Sequence, residues 1–291
     1  MQRVPNHRRT HQTLLLFILL TVAVPVPASA QKNQSDSSDS FDPISRGVKD
    51  LWIQAKAPFT ISSQDAPWAA CGVVALGSFL LADPAIYDAV DPPALVGTTT
   101  QRWSLTVTKF GAEYGLGFLA GFTGYGFLAN DKKALETSYL AAEAFITSGI
   151  WSELLNLMSG RERPSVRSRS GGKWRGPFAV SFSRHFSDFD SFPSGHTSTA
   201  FSLATVFAGQ YSETPAVPIL SYSIASLVGI SRIVVNRHWA SDVFAGAAIG
   251  YLCARQVLIH NPSEVSRSRE RSETSWMFLP RSDGFSLAVQ F

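Results

Sequence analysis

Cysteine is scarce in this 291-residue chain, with only Cys71 and Cys253 present. That scarcity excludes a disulfide-rich scaffold, and no Cys/His spacing matches a zinc site. Both cysteines lie in apolar, helix-like stretches and are expected as buried thiols rather than a pair. Charge is also sparse, at 16% of residues with a net +3. No basic run is interleaved with aromatics, so nucleic acid is not an expected partner. Strand-like alternation is missing between Val48 and His260. No carboxylate cluster offers itself to a metal, so none is expected as cofactor.

What is present is apolar, at 45% of residues. The N-terminus has the layout of a secretory signal. Arg3, Arg8 and Arg9 precede a short apolar run, Leu14 to Val24, and Ala28-Ser29-Ala30 supplies small residues for cleavage. The expected mature chain starts near Gln31 and is exported, to the periplasm or to a membrane surface. The alternative is an uncleaved anchor. Residues 31–47 read as a flexible linker, 48–260 as one helical domain, 261–275 as a polar linker and 276–291 as a β-hairpin packed on the helices.

The expected class is all-α, with about six core helices at 69–82, 104–129, 134–159, 196–211, 216–235 and 239–259. Pro84, Asn130-Asp131, Gly160, Pro215 and Pro218 set their limits. Gly117 and Gly121 have GxxxG spacing, read as close packing inside the bundle rather than membrane dimerisation. Six apolar helices also suit a six-span protein, and the basic loop Arg161–Arg184 suits a cytoplasmic face. Against that stand a mean hydropathy of only +0.06 and the charges of Glu113, Glu143, Glu153, Asp242 and Arg255 in the candidate spans. Counting crossings from an exported residue 31 would also place the basic loop inside. The preferred expectation is an exported bundle, soluble or membrane-attached.

The chemistry concentrates in a few positions. Pro193-Ser194-Gly195-His196 precedes an apolar helix, whose free amides and dipole favour a bound anion. Gly195 permits close approach, Ser194 can donate its hydroxyl, and His196 stands beside whatever the amides hold. His238 and Asp242 are spaced i, i+4, so a carboxylate can fix an imidazole tautomer and free its other nitrogen. Arg232 closes an otherwise apolar helix, and Arg163 follows another. Both suit phosphate oxygens. Each piece alone is also compatible with a helix cap, a surface pair or a solvated loop.

Taken together, these spacings resemble the PAP2 superfamily, the type 2 phosphatidic acid phosphatases. Its second motif is matched at Pro193-Ser194-Gly195-His196 and its third at Ser231-Arg232, His238 and Asp242. Its first is matched at Arg163-Pro164, but Asn156 stands where that motif has lysine. The resemblance implies that His238 attacks phosphorus and Asp242 supports it. It implies that His196 protonates the leaving oxygen and then activates water, and that Arg163, Arg232, Ser194, Gly195 and the Asn156 amide hold phosphoryl oxygens. Losing the lysine's charge would cost about 2–4 kcal/mol of transition-state stabilisation unless Arg161, Arg167 or Lys173 replaces it.

The implied activity is metal-independent hydrolysis of a phosphate monoester or of a lipid or isoprenoid (di)phosphate. Two other readings stay open: a vanadium-dependent haloperoxidase-like enzyme, and a non-catalytic, membrane-associated phosphate-binding protein. The aromatics Trp174, Phe178, Phe182, Phe186, Phe189 and Phe192 suit either a lipid tail or lid packing.

Overall fold

A computed structural model describes residues 66–166, 171–177 and 188–261, together with the backbone of two terminal strands. The signal-like segment, the linker 31–47 and the aromatics Phe178, Phe182 and Phe186 lie outside the described residues, as does Arg167. Among the described residues seven α-helices carry the fold: α1 (Ala66–Val90), α2 (Thr99–Val107), α3 (Glu113–Leu128), α4 (Lys132–Ser159), α5 (Gly195–Gln210), α6 (Ala216–Val234) and α7 (Ala240–His260). Strands β1 (Ser275–Arg281) and β2 (Gly284–Gln290) form an antiparallel hairpin whose register pairs Ser275 with Gln290 and Arg281 with Gly284.

Local chemistry sets both ends of α4. Asp131 caps α4 by accepting the Ala134 N–H at 3.1 Å. Gly160 closes it in the left-handed region at φ 54°, a conformation open to glycine. Two sequence expectations need correction. Pro84 does not end α1, which runs on to Val90 with the proline inside it. The expected single helix 104–129 is broken by a 3-10 turn at Thr108–Gly111. The break has a packing cause: a Cβ on Gly111 would lie 2.4 Å from the His196 carbonyl oxygen. The chain must bend there to lie against the start of α5.

Helix α5 is the central element, almost wholly buried and packed on α4, α6 and α7. Leu203, Val206 and Phe207 on α5 meet Leu140 and Ala144 of α4 and Val257 of α7. Full burial of each such side chain contributes about 2 kcal/mol. The α5–α7 approach is closer still. A Cβ on Gly246 would sit 2.4 Å from the Ser194 carbonyl oxygen, and one on Gly250 would sit 2.0 Å from that of Ser198. These glycines, not Gly117 and Gly121, are the close-packing ones. A Cβ at Gly117 or Gly121 would meet nothing within 4 Å, so the GxxxG face of α3 looks outward.

The outer surface is apolar. Val73, Val74 and Leu81 of α1, Phe127 and Leu128 of α3 and Ile219 of α6 are all exposed. Segments Ala66–Leu95, Ala216–Val234 and Ala240–His260 are long and apolar enough to cross a membrane. Continuous apolar outer faces of this kind mark a membrane-associated bundle rather than a freely soluble one. Cys71 is exposed on α1 rather than buried as expected, Cys253 is half-buried, and both are free thiols.

Candidate active site

The site forms where three chain reversals meet: the loop entering α5, the loop between α6 and α7, and the turn after α4. At the α6–α7 junction, the Arg232 carbonyl accepts the N–H groups of Arg237 (3.0 Å) and His238 (3.3 Å). This folds the loop back and turns His238 inward, leaving it 4% exposed. Its Nδ1 lies 2.7 Å from the Ser191 carbonyl oxygen. A carbonyl only accepts, so Nδ1 carries the proton and Nε2 keeps its lone pair.

Asp242 holds His238 differently from the expectation. Its Oδ2 is 3.9 Å from Nδ1, beyond hydrogen-bond range. The i, i+4 rule requires both residues on the helix, but α7 begins at Ala240 and its N-cap is Trp239. Asp242 instead folds back to accept the Trp239 N–H at 2.8 Å. It also accepts the Ser191 hydroxyl at 2.6 Å and Arg161 Nη1 at 2.5 Å. Asp242 thus reaches His238 through Ser191.

Ser194 is the N-cap of α5, with its N–H donating to the Asp242 carbonyl at 3.0 Å. Its hydroxyl accepts from Thr197 at 2.9 Å, which leaves its own proton to donate. A Cβ on Gly195 would meet no protein atom within 4 Å. Glycine is therefore not required there by packing, whereas a ligand held on the helix amides would need the approach. We expect Gly195→Ala to fold normally yet lose about 100-fold in kcat/KM. Thermal unfolding alongside kinetics checks this, and unchanged kinetics would remove Gly195 from the site.

Both imidazoles sit in a positive field. Burial, then Arg232, pushes His196 down to about 4, with Glu113 opposing. Burial, then Arg232 and Arg163, holds His238 well below the ordinary histidine range. His238 is therefore uncharged at neutral pH, as a nucleophile must be. Arg232 donates to Thr108 at 2.9 Å, and among the described residues its buried Nε has no partner. Arg163 forms a two-pronged pair with Asp190, at 2.6 and 2.8 Å.

Asn156 is buried behind this loop. With its NH2 group turned inward, it donates to the carbonyls of Phe192 (2.8 Å) and Asp190 (3.0 Å). Its donors are spent on the loop that carries Pro193 and Ser194. Of the candidate substitutes for the missing lysine, the structure describes Arg161 and Lys173. Arg161 is buried against Asp83 and Asp242. Glu162 pairs with Arg175 at 2.8 Å. The Lys173 backbone exchanges hydrogen bonds with Glu162.

Of the aromatic series, Trp174 packs on Phe192 at 5.1 Å, and the Arg161 guanidinium lies over the Trp174 ring at 4.8 Å. Sequence reading missed Asp83, Ser191 and Asp190. Only Asp83 left a signal there, a carboxylate inside the long apolar run of α1.

The PAP2 superfamily pattern matches residues 137–263, which contain every site residue named above except Asp83, Thr108 and Glu113. A lipid A 1-phosphatase from Porphyromonas gingivalis is 58% identical over 64 residues, 22% of this chain and only 14% of that one. A lipid A 1-phosphatase from Rhizobium johnstonii is 31% identical over 195 residues, 63% of this chain and 76% of that one. The crystal structure of Aquifex aeolicus LpxE superposes with a TM-score of 0.47 at 22% identity, over 60% of this chain and 94% of that one. With the second relative matched across three quarters of its length and the motif residues gathered around one buried imidazole, the chain belongs to the PAP2 superfamily.

Proposed function

We propose that this protein is a membrane-associated lipid phosphatase that acts through a phosphohistidine and takes the 1-phosphate of lipid A, or a lipid phosphate of similar headgroup, as substrate. The observation that carries the reading is the Ser191 carbonyl at 2.7 Å from His238 Nδ1, which directs the Nε2 lone pair toward the phosphate site. The lipid A 1-phosphatase relatives supply the substrate class. The apolar outer faces suit a bundle embedded in lipid, so that a lipid substrate enters from the side. The chain is exported after cleavage near Ala30, with the site at the periplasmic face.

In the first step, His238 Nε2 forms a bond to phosphorus as the P–O bond to the lipid breaks. Protonated His196 gives its proton to the leaving oxygen. The phosphoryl oxygens sit against Arg232, Arg163, the Ser194 hydroxyl and the amides at the start of α5, where charge redistributes in the transition state. In the second step, neutral His196 takes a proton from water, whose oxygen attacks phosphorus. The P–N bond then breaks, inorganic phosphate leaves and His238 is restored.

The test is phosphate release by the chain from residue 31 onward, in detergent or vesicles, from lipid A, phosphatidate, an isoprenyl diphosphate and a soluble aryl phosphate. Lipid A is expected to be preferred and EDTA to leave the rate unchanged. Preference for the soluble ester would overturn the lipid assignment, and no release from any substrate would overturn the phosphatase reading.

A pH profile tests the acid role of His196. In the free enzyme its proton is lost near pH 4, so above that value the competent fraction falls as pH rises. Phosphate monoesters, with a second pKa near 6, are mostly dianionic above about pH 7, so from there upward kcat/KM is expected to decline toward tenfold per unit. Bound phosphate raises the imidazole, which moves the decline in kcat to higher pH. A kcat/KM that rises from pH 7 to 8 would remove His196 from this role.

A further inference from the structure

Helix α1 is 25 residues long, and its one buried residue is a carboxylate, Asp83. Apolar side chains of this helix are either exposed or, like Phe79, Ile86 and Val90, only partly buried, so full burial of this charge needs a reason. Asp83 Oδ2 accepts Arg161 Nη2 at 2.6 Å, and Oδ1 accepts the Ser241 N–H at 2.9 Å. The Ser241 hydroxyl donates to Asp83 at 2.5 Å and itself accepts from Arg161 Nη1 at 2.6 Å. The same Nη1 reaches Asp242. One guanidinium, with side-chain exposure of 1%, thus joins two carboxylates at 0%.

Such a network is a poor staple, because desolvation of buried ions cancels most of their attraction. What it supplies is geometry. The Arg161 carbonyl accepts the Ser191 N–H at 3.1 Å, while its side chain clamps Asp242, which accepts the Ser191 hydroxyl. Ser191 is therefore held at its N–H and at its side chain by the two partners that Asp83 fixes. Its remaining polar group is the carbonyl that receives the His238 Nδ1–H.

We infer that Asp83 is a positioning residue for the nucleophile, acting through Arg161, Ser241 and Asp242 on the Ser191 carbonyl that sets the His238 tautomer. The inference rests on the phosphohistidine reading above. Asp83 touches neither imidazole and belongs to a helix that precedes all three superfamily motifs. Its role is therefore to fix the angle of His238 Nε2 rather than to bind substrate.

The test compares wild-type protein with Asp83→Asn and Ser241→Ala. The single-turnover rate constant for phosphohistidine formation on lipid A is measured separately from its amplitude. Asp83→Asn is expected to lower the rate constant about 10- to 100-fold, with KM and amplitude little changed, and Ser241→Ala to follow in the same direction. A lower amplitude with an unchanged rate constant would make Asp83 a structural anchor only and overturn the inference. A second readout needs no turnover: the 15N spectrum of the His238 ring. The wild-type ring is expected as a single Nδ1-protonated tautomer, and Asp83→Asn as a mixture. An unchanged ring spectrum in Asp83→Asn would overturn the inference. Absence of phosphohistidine in the wild type would sink the phosphatase reading instead, leaving the ring spectrum to decide this one.

Discussion

His238→Ala is expected to lower phosphate release by about 10,000-fold or more and to abolish any acid-labile phosphoprotein, while the bundle stays folded. The size follows from what the ring does. It is the atom that bonds phosphorus, so its loss removes the covalent route entirely rather than weakening one contact. The arginines and the α5 amides remain, and binding alone leaves a residual acceleration over water, as in other sites stripped of their nucleophile. Cutting back this buried ring leaves a cavity that lowers stability, but it strands no ion pair. Its Nδ1–H donates to the Ser191 carbonyl, and Ser191 keeps its bonds to Arg161 and Asp242 when the ring is gone. Substrate binding is thus expected to survive, so lipid A should still protect the variant against thermal unfolding. A variant that retains a tenth of the activity would exclude His238 as nucleophile, and another residue would have to bond the phosphorus.

The parts of this molecule that were legible in the sequence are those whose chemistry is written in neighbouring residues. The Ser194-Gly195-His196 helix start and the Arg232–His238–Asp242 spacing are local, and Gly160 and Asp131 mark their helix ends by side-chain type alone. Where a partner lies far along the chain, the sequence is silent. Arg161 and Asp83 are separated by 78 positions, and nothing local distinguishes Arg161 from a solvated loop arginine. Ser191 is hidden for another reason. Its contact with His238 is made by a backbone carbonyl, which every residue owns. The Asp242 expectation failed on one structural detail, since a residue just outside a helix does not share the helical periodicity. The broken helix at Thr108–Gly111 was masked by an apolar, glycine-rich run that looks continuous until Gly111 must make room for His196. Pro84 misled in the opposite direction, because a long helix supported on α7 by Phe79 against Phe244, at 4.9 Å, tolerates one missing hydrogen bond.

Arg161→Met is expected to be the most destabilising single change in the site. Methionine roughly fills the space and keeps contact with Trp174 and Trp239, whose rings lie 4.8 and 5.5 Å from the guanidinium. It cannot neutralise anything. Asp83 and Asp242 would then face each other as two buried carboxylates with no cation between them. Breaking one buried pair in this way costs about 3–5 kcal/mol, and here one substitution breaks two. The Gly171 carbonyl also loses its donors from Nε and Nη2, at 3.2 and 2.6 Å, which loosens the turn beside Trp174. In a chain of this size the loss corresponds to a fall in thermal midpoint of roughly 10 °C or more. Arg161→Lys restores charge but not the fork, since one ammonium cannot reach both carboxylates and the Gly171 carbonyl together. It is expected to recover part of the stability and little of the activity. The double variant Arg161→Met with Asp83→Asn removes one of the opposed charges and should regain stability over Arg161→Met alone. Additive losses in that double variant would show that the two residues act independently, and the network would then have no role in holding Asp242.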